Sequence, residues 1–181
     1  MLFNKTTGFF ENIRIVKSPH FNARPENTEI SLLVIHSISL PPGKFGSGFI
    51  DDLFLGQLDA NAHPYFAGIA ELKVSAHFLI NREGAITQYV SCYNRAWHAG
   101  KSSWQGQQHC NDFSIGIELE GDEITPYTHA QYQQLSLLCK ALLQQFKTIN
   151  RQNITGHSDI APDRKTDPGL AFDWQRFNGL L

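Results

Sequence analysis

The chain is poor in the features that mark several large functional classes. Only three cysteines occur among 181 residues. Cys92, Cys110 and Cys139 are odd in number and far apart. That pattern excludes a disulfide framework and a thiolate zinc site, and it fits reduced thiols in a cytosol. All three read as small buried hydrophobes. No stretch approaches the ~20 apolar residues of a membrane span, so no membrane partner is expected. The opening Met1-Leu2-Phe3-Asn4-Lys5 lacks the basic region and apolar run of a secretion signal, which makes a cytoplasmic location the expectation. There is no basic stripe and no run of like charge. Fifteen Lys and Arg against 17 Asp and Glu give a net charge of −2, so nucleic acid is not an expected partner. Repeats, low-complexity tracts and linkers are also missing, and nothing in the pattern calls for an obligate protein partner.

What is there suits one domain over residues 1–181. Hydrophobic content of 41% and charged content of 18% are ordinary for a globular protein with a real core. Residues 1–27 read as irregular chain packed on the domain, with turn or extended signals at Ser18-Pro19-His20 and Arg24-Pro25. A buried strand is expected from Ile30 to Ser37. A Gly- and Pro-rich loop follows from Leu40 to Gly48, then a short helix within Ser47 to Leu58 and a loop from Asn61 to Phe66. Ala76–Ile80 and Ala85–Val90 read as a hairpin about Asn81-Arg82-Glu83-Gly84. Ala96 to Asn111 is a long polar loop. Phe113 to Glu120 alternates, with Ile115, Ile117 and Leu119 on one face and Gly116, Glu118 and Glu120 on the other. A helix over Thr128 to Lys147 opens on a capping box of Thr128 and Gln131 and carries one apolar stripe, Tyr132, Leu135, Leu138, Cys139, Leu142, Leu143 and Phe146. The order predicts an α/β domain, a mixed central sheet flanked by helices with a groove on one side.

Eight histidines are more than average composition supplies, and one region concentrates ionisable groups. Gly156-His157-Ser158-Asp159-Ile160-Ala161-Pro162-Asp163-Arg164-Lys165-Thr166-Asp167-Pro168-Gly169 packs a histidine, three carboxylates and two cations behind a short apolar strand at Asn153–Thr155. Loop folding does not require that density. A divalent metal beside a charged transition state does. Leu32-Leu33-Val34-Ile35-His36 supplies a distant partner, an apolar strand ending in histidine. Hydrolytic zinc sites take three protein ligands from His, Asp and Glu and keep a fourth position open. His36, His157 and Asp167 are a candidate set. Each has a plainer reading: a hydrogen-bonded core histidine, or an aspartate that only forms a turn. Asp159 and Asp163 read as solvated turn carboxylates or partners of Arg164, and their spacing is not that of an EF-hand. Glu118, mid-strand, is either on a solvated face or a general base, and Lys165 is either half of a surface ion pair or a cation aimed at an oxyanion.

At these residues the sequence resembles the AmpD-type 1,6-anhydro-N-acetylmuramoyl-L-alanine amidases, within the zinc amidase group that includes peptidoglycan recognition proteins and phage T7 lysozyme. The resemblance runs from Ser18-Pro19-His20 to the end. It rests on His36-Ser37-Ile38-Ser39-Leu40-Pro41-Pro42-Gly43, on Arg95-Ala96-Trp97-His98-Ala99-Gly100, on Cys110-Asn111-Asp112-Phe113-Ser114-Ile115-Gly116-Ile117-Glu118-Leu119-Glu120-Gly121, and on the Gly156–Gly169 segment. It implies that His36, His157 and Asp167 bind zinc, that Glu118 accepts the proton and that Lys165 stabilises the transition state. The substrate it implies is a small muropeptide, cut between the lactyl group of N-acetylmuramic acid and L-alanine during cytosolic recycling of wall fragments. Arg95, Trp97, His98, Ala99 and His109 are candidates for contacting sugar or peptide. Two positions depart from the family pattern: Ser37 stands where Asn is expected, and Gln107-Gln108-His109 where arginine-rich sequence is expected. Both bear on how the stem peptide's carboxylates are held. Two other readings compete with the amidase: a module that binds peptidoglycan fragments without cutting them, and a lysin acting on the intact wall.

Overall fold

The computed structural model describes residues 1–181. In chain order its strands are β1 (Leu2–Asn4), β2 (Phe9–Glu11), β3 (Arg14–Ile15), β4 (Phe21–Ala23), β5 (Leu32–Ile38), β6 (Phe78–Ile80), β7 (Ile86–Gln88), β8 (Asn94–Ala96), β9 (Ser103–Trp104), β10 (Gln107–Gln108), β11 (Ser114–Glu120) and β12 (Ile154–Gly156). Its helices are α1 (Phe49–Leu55), α2 (His129–Gln145), α3 (His157–Ile160) and α4 (Trp174–Leu180). Six strands form the central sheet in the order β12-β5-β11-β6-β7-β3. It is mixed: β12, β5, β11 and β6 run parallel, and β7 turns back antiparallel to β6. This is the α/β sheet flanked by helices that the sequence predicts.

The two seven-residue strands at its centre, β5 and β11, pair from Leu32↔Ser114 to Ile38↔Glu120. Parallel strands covered on both faces read as nearly continuous apolar runs, and Leu32-Leu33-Val34-Ile35 is such a run. One face carries Leu33, Ile35, Ile115, Ile117 and Leu119 and packs in a single cluster with Leu135, Leu138, Cys139 and Leu142 of α2. That helix begins where the sequence places it. Gln131 donates its backbone N–H to the Thr128 hydroxyl at 3.1 Å, and its side-chain oxygen accepts from Thr128 N at 3.0 Å. The opposite face of β5 and β11 carries Val34, His36, Ser114, Gly116 and Glu118, and it lies under the segment from Ala96 to Asn111. All three cysteines are free and buried.

Several expectations shift. Residues 1–27 are not irregular throughout: β1 and β2 form a hairpin, β3 adds to the sheet edge beside β7, and β4 pairs with β8. These strands are two or three residues long, too short for a period-2 signal, and aromatic contacts anchor them. Phe3 and Phe10 meet edge to face at 5.0 Å, and Phe10 meets Phe78 at 5.8 Å. The loop expected at Asn61–Phe66 continues into a 3-10 turn over Pro64–Gly68, with His63 accepting from Tyr65 N at its start. The polar loop after Ala96 contains the small β9–β10 hairpin. Helix α4, capped by Asp173 and burying Phe177, has no counterpart in the sequence reading. With seven residues and a glycine near its end, it carries too little periodicity to stand out.

Candidate active site

The parallel register sets His36 and Glu118 directly opposite each other on neighbouring strands, so both project from the same sheet face. β12 lies on the other side of β5, with Gly156 opposite Ile35, and the next residue, His157, opens the short helix α3. Only glycine allows this strand end to come so close to the following loop. A Cβ on Gly156 would lie 2.9 Å from Pro168 Cδ. Asp167 is then held by its backbone, whose carbonyl accepts from Ser158 N at 2.9 Å. The neighbouring Pro168 carbonyl accepts from the Tyr127 hydroxyl, also at 2.9 Å.

Three donor atoms converge at the meeting point. His36 Nδ1 lies 2.9 Å from His157 Nδ1, His36 Nδ1 lies 3.2 Å from Asp167 Oδ2, and His157 Nδ1 lies 3.1 Å from the same oxygen. Zinc held at about 2.0–2.1 Å by tetrahedral ligands places those ligands roughly 3.3 Å apart, so the triangle fits a zinc ion. The orientation fits too. His157 Nε2 lies 3.2 Å from the Ala99 carbonyl, which can only accept, so the ring proton sits on Nε2 and the lone pair on Nδ1. Both histidines are buried, His36 at 1% and His157 at 3% exposure. Burial holds the His36 imidazole down at about 4, against a smaller upward pull from Asp167. A neutral ring is what metal ligation needs.

Beside this triangle sits a carboxylate with no partner. Glu118 is 9% exposed, and its Oε2 is buried without a hydrogen bond. Burial, reinforced by the Asp167 charge, pushes its pKa well above the ordinary value, and Lys165 pulls the other way. Such a perturbed group in a cleft marks a functional site. Glu120, two residues on and on the same face, is different. It accepts from Gly46 N at 2.5 Å and Arg82 N at 3.1 Å, and it pins the Gly-Pro loop. Asp159 is likewise structural: it accepts from Thr155 Oγ1 and Gly156 N. Arg164 pairs with no aspartate and donates to the carbonyls of Ala99 and Lys101.

His36, Glu118, His157, Lys165 and Asp167 all line one cleft of about 300 Å³. The opposite wall is largely apolar, built from Leu53, Phe54, Tyr65, Ile69, Leu72 and Val74. Tyr65 and Leu72 are exposed. Sequence reasoning passed over this wall because its residues are divided among α1, the 3-10 turn and the segment that follows, so no single periodicity joins them. A larger open groove of about 850 Å³ lies between the N-terminal strands and Gly84–Ile86 and holds none of these groups.

The candidates for substrate contact divide. Trp97 and His98 line the cleft, and Trp97 Nε1 is held by Asn22 Oδ1 at 3.0 Å. His98 has both ring nitrogens engaged by protein, His36 Nε2 at 2.9 Å and Ser114 Oγ at 3.2 Å. Ala99 is fully buried behind the cleft. Arg95 lies on β8, paired with Asp112 at 2.5 Å and Asn22 at 2.8 Å. His109 is exposed at the end of the β9–β10 hairpin with a left-handed backbone. Neither Arg95 nor His109 borders the cleft. Of the two departures from the family pattern, Ser37 lines the cleft and Gln107–His109 do not.

Residues 26–170 match the family model for N-acetylmuramoyl-L-alanine amidase. The chain belongs to that family. It is 59% identical over 174 residues to the 1,6-anhydro-N-acetylmuramyl-L-alanine amidase AmpD of Citrobacter freundii, covering 96% of this chain and 92% of the relative. A crystal structure of a selenomethionine derivative of AmpD superposes with a TM-score of 0.96 at 57% identity, covering 100% and 99% of the two chains. The Escherichia coli amidase AmiD, solved with anhydro-N-acetylmuramic acid-L-Ala-D-γ-Glu-L-Lys as substrate, matches with a TM-score of 0.63 at 31% identity, over 87% of this chain and 60% of that one. The protein is therefore an enzyme, an amidase of this family, and not a binding module. No helix is long and apolar enough to cross a membrane.

Proposed function

We propose that this amidase is zinc-dependent and that it releases the stem peptide from 1,6-anhydro-N-acetylmuramic acid during cytosolic recycling of peptidoglycan fragments. The observation that carries the reading is the convergence of His36 Nδ1, His157 Nδ1 and Asp167 Oδ2 on one point of the cleft, with the unpartnered Glu118 carboxylate beside it. The names of the full-length relatives and the muropeptide bound to AmiD support the substrate class. The free, buried cysteines support a reducing compartment. Residues 1–181 act as one amidase domain in this reading.

Amide hydrolysis is slow because water is a weak nucleophile and an amine is a poor leaving group. When bound, zinc supplies Lewis acidity, which activates water near neutral pH and polarises the carbonyl. His36, His157 and Asp167 would hold it on the wall of the cleft. Glu118, its affinity for a proton raised by burial, takes the proton from the attacking water on a carboxylate oxygen and returns it to the departing L-alanine amine. Lys165, on the cleft wall, stabilises the negative charge that develops on the carbonyl oxygen. The apolar wall and Trp97 receive the compact sugar.

Metal analysis combined with mass spectrometry of the products tests the proposal. Protein loaded with one zinc per chain is expected to convert anhydro-muramyl peptide into free anhydro-muramic acid and a peptide with an L-alanine amino terminus. Activity that survives rigorous removal of metal overturns the zinc dependence.

A further inference from the structure

His98 lies between the metal-ligand cluster and the strand beneath it, and its place there is prepared by sequence. A Cβ on Gly116 would fall 2.5 Å from His98 Cγ and 2.6 Å from His98 Nδ1, so the imidazole rests against β11 only because that position is glycine. The backbone holding the ring is fixed independently. Asn111 Oδ1 accepts from His98 N at 3.1 Å and Ala99 N at 2.8 Å. The ring itself bridges two partners, His36 Nε2 at 2.9 Å and Ser114 Oγ at 3.2 Å, and meets the His36 ring edge to face at 5.0 Å.

The direction of each hydrogen bond in this chain follows from its far end. Ser114 Oγ lies 2.5 Å from the Cys110 carbonyl, which has no proton to give, so the hydroxyl proton points there. Ser114 Oγ then accepts, and His98 Nε2 must donate to it. A neutral His98 protonated on Nε2 keeps its lone pair on Nδ1, which accepts from His36 Nε2–H. His36 is left with its lone pair on Nδ1, the atom that faces His157 and Asp167. No other arrangement of neutral rings satisfies all three contacts.

We infer that His98 is a positioning residue: through the chain His36–His98–Ser114–Cys110 it fixes His36 in the tautomer and ring orientation that presents Nδ1 to zinc. The inference rests on the reading of His36 as a zinc ligand. It also assigns His98 away from hydrogen bonding with sugar or peptide, since neither ring nitrogen is free. Outer partners of this kind are worth about 10–100-fold in metal affinity.

Two substitutions separate the hydrogen bond from the packing. His98→Leu fills the slot but cannot accept a proton. His98→Asn places Oδ1 where Nδ1 stood and keeps an acceptor for His36 Nε2–H. Zinc affinity, measured by competition with a chromophoric chelator, is expected to fall roughly 10–100-fold in His98→Leu and to stay within a few-fold of the parent in His98→Asn. Equal losses in both variants, or none in either, overturn the inference. Proton-coupled ¹⁵N NMR of histidine-labelled, zinc-loaded parent protein supplies a second readout, independent of how the variants fold. It is expected to show His36 and His98 both protonated on Nε2, and a proton on His98 Nδ1 overturns the assignment. A parent protein that binds no zinc defeats the zinc-amidase reading itself, whereas parent-like affinity in His98→Leu defeats only this one.

Discussion

Replacing Glu118 with glutamine should cost activity and gain stability at once, because the same burial produces both effects. The carboxylate is 9% exposed, with one oxygen buried and unpartnered, and burial lifts its pKa well above the ordinary 4.5. A group that binds its proton more tightly in the folded than in the unfolded state stabilises the fold when protonated, and that stabilisation is lost as pH rises. Below about pH 4.5 both states are protonated, and Glu118 behaves like its neutral amide. Above it the unfolded chain ionises freely while the folded one must keep the proton or desolvate a charge. Leaving such a group buried and unpaired costs about 1–3 kcal/mol. Glu118→Gln removes that cost, so the metal-free variant at pH 7 should melt roughly 2–12 °C above the metal-free parent. The difference should close as pH falls toward 4. The amide cannot accept a proton, so turnover should fall about 10²–10⁴-fold with zinc retained. Calorimetry of both metal-free proteins at pH 7 and near pH 4, with kcat on the zinc-loaded forms, tests both halves. A variant less stable than the parent at pH 7 would refute the burial argument. Near-normal turnover, with Glu120→Gln crippled, would move the base to the other carboxylate.

Three further outcomes follow from the same geometry. His157→Ala should lose zinc and activity together, because one corner of the donor triangle disappears; full zinc occupancy by metal analysis in that variant would refute the ligand assignment. Lys165→Ala should lower kcat more than it raises KM, since a cation near the oxyanion acts more strongly on the transition state than on the neutral amide; a change confined to KM would make Lys165 a substrate anchor. Peptide release from anhydro-muramyl peptides should be much faster than from matched reducing muramyl peptides, because a cleft of about 300 Å³ can reject the reducing ring by clash or unpaired polar groups; equal kcat/KM on the two would sink that specificity.

The central strands and long helix were legible because each carries its own period. Leu32–Ile35 is a continuous apolar run, Ile115–Leu119 alternates, and Leu135–Leu142 repeats at helical spacing. The convergence of His36, His157 and Asp167 was legible for a different reason: a histidine ending a core strand and a loop dense in charge suggest a common cluster. What the sequence concealed depends on long-range contact. β1 to β4 are two or three residues each and hold only through partners such as Phe78 and the Asn94–Ala96 strand. The apolar cleft wall is assembled from α1, the 3-10 turn and the segment after it, so no one period marks it. Arg24 read as a turn signal beside Pro25, yet its buried guanidinium donates to the carbonyls of Asn111, Asp112, Cys92 and Ser114, contacts that span up to 90 positions. Burial lowers its pKa only to about 10, so it stays charged at neutral pH. No local pattern encodes such a clamp.

The polar segment from Ala96 to Asn111 shows why dense loop chemistry need not mean direct contact with substrate. The outer nitrogens of the two clustered histidines are engaged by consecutive residues, His36 by the side chain of His98 and His157 by the carbonyl of Ala99. The orientation of both rings thus depends on a single dipeptide. That dipeptide is held by Asn111 Oδ1, and the backbone of Asn111 is held in turn by Arg24. Arg164 closes the arrangement from the other side by donating to the same Ala99 carbonyl, which ties the segment to the loop that carries Lys165 and Asp167. The donor triangle is therefore only the inner layer of a connected structure that runs from the N-terminal strands through the loop to the last strand. A metal site needs its ligands fixed before the ion arrives, since every rotamer left free is an ordering cost at binding. The loop's hydrogen bonds are made within the protein, so that cost is met when the chain folds.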